Sequence, residues 1–163
     1  SGVLRIFTLQ LLRGRAPSVF EDGGQLRDYV NAEDVARANL LVLERPEADY
    51  QVFNVGGGRG YTVREFAEIV REEVGASSGA GGLPLPSVTG EYRVGDTRHS
   101  VSDISKLRSL GWEPKRSARD SARAYVDWIR KQHLDRDYAA EALQSLRQSG
   151  ALRSAAPAGG RTA

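Results

Sequence analysis

The sequence predicts an α/β fold, on three observations. Apolar residues recur at helical spacing in several separate stretches, Val63, Phe66, Ala67, Val70 and Val74 being the clearest. Tyr50 to Val55 is apolar, rich in β-formers and followed by Gly56-Gly57-Gly58, the pattern of a buried strand. Turn and cap residues separate these stretches at the short intervals of a packed domain.

Taken in order, Val3, Leu4, Phe7, Leu11 and Leu12 mark a first helix closed by Gly14. Ser18-Val19-Phe20 reads as a short extended piece before the turn Asp22-Gly23-Gly24. Asn31 caps a helix that runs to about Leu43 and stops before Pro46, with Glu33 and Asp34 at its positive end. Thr62-Val63-Arg64-Glu65 has the form of a capping box for the next helix. Gly75 to Gly82 reads as a flexible loop, and Pro86 to Thr89 as a second short strand. Asp103 opens a helix ending near Leu110 with Gly111 beyond it, Ser117 opens another along Ala122, Tyr125, Val126 and Ile129, and a last one spans about Asp137 to Gln148. No internal repeat is apparent. The domain is set at residues 1–150, with the terminal strand near 50–55 and a disordered tail over 151–163.

Composition narrows the function classes. The chain has 163 residues, 40% hydrophobic and 27% charged, enough for one folded core. No apolar run reaches membrane-spanning length. Zero Cys removes disulfides and thiolate metal sites and fits a cytoplasmic location, and His99 and His133 alone do not make a metal centre. The net charge of +2 is spread among acids rather than striped, so a nucleic-acid footprint is weak. Zero Met, with apolar periodicity already running at Val3, reads as a piece of a longer product.

Three phrases carry the functional reading. They are Arg27-Asp28-Tyr29-Val30-Asn31-Ala32-Glu33-Asp34-Val35-Ala36, then Phe53-Asn54-Val55-Gly56-Gly57-Gly58, then Tyr92-Arg93-Val94-Gly95-Asp96-Thr97-Arg98-His99. Together they resemble the carboxy-terminal half of the extended short-chain dehydrogenase/reductases, the NAD-dependent epimerase/dehydratase family, and most of all its dTDP-L-rhamnose and UDP-glucose 4-epimerase types. The resemblance implies the last units of a Rossmann-like sheet joined to a small, mostly helical substrate lobe. It also implies a nucleoside-diphosphate sugar (dTDP- or UDP-linked) as ligand, NAD as cofactor and a homodimer in the intact enzyme.

Each site residue has a plain alternative. Arg27 alone would be a solvated surface group; the resemblance makes it a diphosphate ligand, a role that suits a planar guanidinium fork. Arg93 resembles the second diphosphate-binding Arg, and Asp96 the acid that accepts from a ribose hydroxyl, although the run could be only a loop turning at Gly95. Phe20 is either core or the ring against the base, with Ser18 and Val19 offering backbone groups. Asn54 could merely cap a turn, but strand ends in open α/β sheets are where ligands bind, and the matching Asn in relatives reaches the nucleotide. Asn31 stands where many members have His and is assigned only the cap, and His99 is assigned a structural role.

The family's base is a Tyr with Lys four residues on, and none of the six Tyr has one. Gly56 to Gly60 does not satisfy G-x-G-x-x-G, so no cofactor-binding, catalytic or metal residue is assigned. The expectation is the nucleotide-sugar-binding half of a 4-epimerase, inactive alone. A 4,6-dehydratase or decarboxylase of the same fold, or a non-catalytic nucleotide-binding module, are the alternatives.

Overall fold

The computed structural model describes residues 2–79, 82–133 and 135–154. Helix α1, Val3–Leu12, ends at Arg13 with Gly14 in the left-handed region, as its apolar spacing and glycine predict. Strand β1, Ser18–Val19, leads to β2, Leu26–Asp28, and then α2, Ala32–Leu43, whose first turn is closed by the Asn31 side-chain carbonyl oxygen accepting from the Glu33 amide. A 3-10 turn over Pro46–Ala48 follows. Strand β3, Gly60–Thr62, runs directly into α3, Val63–Ser78, through the expected capping box: Thr62 Oγ1 accepts from the Glu65 amide and Glu65 accepts from the Thr62 amide. Strands β4, Ser87–Val88, β5, Glu91–Arg93, and β6, His99–Ser100, precede the short α4, Ser105–Arg108. Helix α5, Ala118–Ile129, is opened by a Ser117–Asp120 capping box, and α6, Tyr138–Gln148, by Asp137. Strand β7, Leu152–Ser154, ends the described chain.

The strands form three small sheets rather than one continuous one. β1 pairs in parallel with β4; β2 lies between antiparallel β3 and parallel β6; β5 pairs antiparallel with β7. Helices α1, α3 and α5 pack around Phe7, Phe66, Val70, Ala122 and Val126, with Val19 of β1 in the same core. A second cluster joins α2 to α4 through Ala38, Ile104, Leu107 and Trp112.

Four expectations are corrected. The stretch 50–55 is not a strand. Phe53 and Val55 turn onto the second cluster while Val52 stays 83% exposed, so the segment alternates as a strand does but has no ladder partner among the described residues. The carbonyl of Val52 instead accepts from Lys106 Nζ at 3.0 Å. The loop expected from Gly75 begins later, because α3 continues through Ala76 to Ser78 and stops at Gly79 in the left-handed region; residues 80–81 lie outside the described residues. The helix expected from Asp103 to Leu110 is the single turn of α4, with Asp103 Oδ1 accepting from the Ser105 amide. The tail expected over 151–163 contains β7, held by pairing with β5; its remainder, 155–163, lies outside the described residues.

Candidate functional site

Arg27 is set by the middle strand of a three-stranded sheet. Its Nη1 donates to the carbonyls of Leu26 at 2.8 Å and Arg98 at 3.0 Å, and its Nη2 to Asp96 Oδ2 at 2.9 Å, a partner 69 residues away. A guanidinium carries five N–H donors, so these three bonds orient the fork and leave donors for a ligand. Arg27 and Asp96 line one cavity of about 80 Å³ with Ser18, Phe20 and Gln25, against an apolar wall that includes Val3, Phe7 and Leu143. Four residues assigned from the sequence therefore meet at one place: Arg27, Asp96, Ser18 and Phe20.

The other three do not line it. Val19 is fully buried in the core, and its carbonyl accepts from the Thr89 amide at 3.0 Å, so that group is spent on the β1–β4 edge. The Ser18 amide is likewise taken, donating to Gln10 Oε1 at 3.0 Å, while Gln10 Nε2 donates to Ser18 Oγ at 2.8 Å. Asn54 is tied to the Asp103 carbonyl at 3.3 Å. Arg93 is exposed at the end of β5, and its guanidinium makes no hydrogen bond or ion pair among the described residues. Its carbonyl accepts from the Asp96 amide at 3.2 Å, which places it one turn from the Arg27–Asp96 pair.

Other phrase residues build the frame. His99 Nδ1 accepts from the Leu26 amide at 3.2 Å, joining β6 to β2, the structural role expected of it. Arg98 pairs with Glu21 and with both oxygens of Asp22, and this guanidinium together with the Gly24 amide lowers the Asp22 carboxyl to about 2. Tyr29 stacks on Phe66 at 3.7 Å between ring centroids, and burial pushes its hydroxyl well above the ordinary range.

Two acids in the first phrase do more than the sequence reading gave them. Asp28 Oδ1 accepts from the Gly57 amide at 2.6 Å and Oδ2 from the Ser102 amide at 3.2 Å. Gly56 is glycine for that reason, since a Cβ there would lie 2.2 Å from Asp28 Oδ2. Asp34 is wholly buried and accepts from Arg37 and from the amides of Lys115 and Arg116 at 3.1 and 2.9 Å. Burial opposes its charge, but Arg37 and the two amides outweigh that, and its carboxyl stays below the ordinary value. Gln25 also escapes the sequence reading. A polar residue between a glycine turn and an Arg gives no periodic signal, and only its burial marks it.

The geometry defines an α/β lobe with a small apolar cavity bearing one Arg–Asp pair. Residues 1–56 match the model of the NAD dependent epimerase/dehydratase family. Over 137 residues the chain is 32% identical to the dTDP-L-rhamnose 4-epimerase of Burkholderia thailandensis, covering 83% of this chain and 36% of that protein. The solved structure of UDP-glucose 4-epimerase from Thermotoga maritima with UDP-glucose is 40% identical with TM-score 0.67, over 80% of this chain and 40% of that one. That of the Thermus thermophilus UDP-glucose 4-epimerase complex with NAD is 32% identical with TM-score 0.62, over 80% and 40%. The chain belongs to the NAD-dependent epimerase/dehydratase family, as its three phrases imply. It spans 39% and 36% of the length of two curated relatives that it matches.

Proposed function

We propose that this chain supplies the nucleotide-sugar side of an NAD-dependent nucleoside-diphosphate-sugar 4-epimerase, with the base in the cavity and the diphosphate on Arg27. The observation that carries this is the meeting of Arg27, Asp96, Ser18 and Phe20 on one cavity from elements far apart in sequence. Ligand pockets hold ~300–1,000 Å³, so a cavity of about 80 Å³ suits one part of a ligand, the base, and leaves the diphosphate and sugar outside it. Arg93, without an ion-pair partner among the described residues and one turn from Asp96, is the second cation available to the diphosphate. Asp96 Oδ2 is bound by Arg27, and its other oxygen is the acceptor for a ribose hydroxyl.

NAD, the cofactor that the family description names, finds no cradle among the described residues. The Gly57 amide is taken by Asp28, and Gly60 opens a strand rather than a helix. No hydride step is therefore assigned to these residues, and the resemblance implies a Tyr with Lys four residues on, which none of the six Tyr here supplies. Absence of Cys supports a cytoplasmic setting, and a homodimer of the intact enzyme rests on the resemblance alone. The epimerase is preferred to a dehydratase because several relatives more than 30% identical are named 4-epimerases, with two others named GDP-L-fucose synthases, while the dTDP-glucose 4,6-dehydratase of Bacillus anthracis is 21% identical.

Titration calorimetry of the chain with UDP and dTDP tests the reading. Saturable binding is expected, weakened by ~1.5–3 kcal/mol in Arg27→Ala, with no epimerase turnover and no tight NAD binding. Nucleotide affinity indifferent to Arg27 would remove the diphosphate assignment.

A further inference from the structure

Arg98 makes contacts on two sides that the proposed function leaves unused. Its Nη1 donates to Glu21 Oε2 at 2.7 Å and to Asp22 Oδ1 at 3.0 Å, and its Nη2 donates to Asp22 Oδ2 at 2.7 Å. The guanidinium thus grips two carboxylates of the loop between β1 and β2, one of them in the bidentate geometry that makes such a pair directional. Its backbone carbonyl accepts from Arg27 Nη1 at 3.0 Å. One residue therefore joins that loop to the fork assigned to the diphosphate.

The loop end of this link is held from several sides. The Gly23 carbonyl accepts from the Arg64 amide in the first turn of α3 at 3.0 Å, and Asp22 Oδ1 also accepts from the Gly24 amide at 2.8 Å. Glu21 lies in the left-handed region at φ 52°, a conformation that a non-glycine residue keeps only where its surroundings impose it. Its amide donates to the Glu91 carbonyl at 2.8 Å, and Arg98 holds its carboxylate. A single exposed ion pair contributes little. Here the contact is bidentate, shared by two acids and tied to a strained backbone position next to Phe20 of the cavity. What the clasp fixes is the Arg98 carbonyl, one of the three acceptors that orient the Arg27 fork.

We propose that Arg98 is a positioning residue for nucleoside-diphosphate binding: clasped by Glu21 and Asp22, it holds its carbonyl where Arg27 must turn its fork to the diphosphate. This rests on the reading that Arg27 binds the diphosphate of a nucleotide.

The test measures affinities of the full 163-residue chain for UDP, and for uridine, which has no phosphate, by titration calorimetry. Arg98→Ala is expected to weaken UDP about fivefold, the worth of one hydrogen bond, and uridine by less than about twofold. Glu21→Gln combined with Asp22→Asn should weaken UDP by a similar factor although Arg98 stays in place, and it keeps the test available if Arg98→Ala does not fold. The first variant removes a positive charge and the second two negative ones, so a through-space effect on an anionic ligand has opposite signs in the two. Lost positioning lowers affinity in both. In the Arg27→Ala background neither change should alter UDP affinity by more than about twofold, since residues that act as one unit are not additive. With Arg27→Ala alone still weakening UDP, four results each overturn the role of Arg98 and leave the nucleotide site standing. They are unchanged UDP affinity in both variants, effects of opposite sign, equal losses for UDP and uridine, or a full further loss on top of Arg27→Ala. No saturable UDP binding by wild type, or UDP affinity indifferent to Arg27, overturns the diphosphate reading and this one with it.

Discussion

Asp34 shows how much one side chain can hold. Its carboxylate is the acceptor for two backbone amides, those of Lys115 and Arg116, and its own carbonyl accepts from Trp112 Nε1 at 3.2 Å. Asp34→Ala would leave both amides without their acceptor, at ~1–3 kcal/mol each, so a loss of about 3 kcal/mol is expected in denaturant titrations. The folded carboxyl lies below its ordinary 3.8. Its contribution is therefore complete above that value and is lost as pH falls through the lower folded value. Asp34→Asn should flatten this acid limb of the stability profile, and an unchanged limb would show that other carboxylates set it. Gly56 is a second single-residue constraint. Gly56→Ala must push Asp28 off the Gly57 and Ser102 amides, with a loss of ~1–3 kcal/mol; a thermal midpoint equal to wild type would show that the turn yields instead.

Among the elements, α3 carries the most. Phe66, Ala67 and Val70 face the core on one side, and Glu73 reaches Arg119 and Arg123 of α5 at 2.7 and 2.9 Å. Phe66 is buried at 1% exposure and also stacks on Tyr29, so Phe66→Ala is expected to cost ~3–5 kcal/mol. Chemical denaturation measures that directly, and a cost below about 1 kcal/mol would mean that the ring is not a core element. The helices were legible in the sequence because their signals are local. Thr62 with Glu65 and Ser117 with Asp120 announce their own caps, and one apolar stripe per helix announces its buried face. Of the strands, only β1 and β4 were legible, from Ser18-Val19-Phe20 and Pro86 to Thr89. β2, β3, β5, β6 and β7 have two or three residues each, too few to show a period, and exist because a partner distant in sequence lies alongside. Tyr50 to Val55 is the converse case, where strand-forming residues meet no partner among the described residues and form no ladder.

At the scale of the whole molecule, large apolar side chains stay exposed at the end of α2 and in this unpaired segment. Leu43 is 82% exposed and Val52 83%. Exposed apolar side chains favour association, and an extended segment outside any sheet adds a template for pairing. The chain is expected to self-associate with rising concentration in sedimentation velocity. Leu43→Lys combined with Val52→Lys should move it toward monomer with little change in thermal midpoint, since neither side chain supports the core. A wild-type monomer at every concentration would count against association through these side chains.

The sequence by itself determined the helices, their caps and the family, all of which depend on residues near one another in the chain. It also named Arg27, Asp96, Ser18 and Phe20 as binding candidates. Only the tertiary structure decided that these four share a cavity while Val19, Asn54 and Arg93 stay outside it. It also turned Asp28, Asp34 and Gln25 into fixed parts of the frame. The physical reason is that a polar side chain's role is set by which donors and acceptors reach it once water is excluded. Here the backbone amides that reach the two acids come from 29 to 82 residues away, and for Gln25 the role follows from a burial that no local pattern announces.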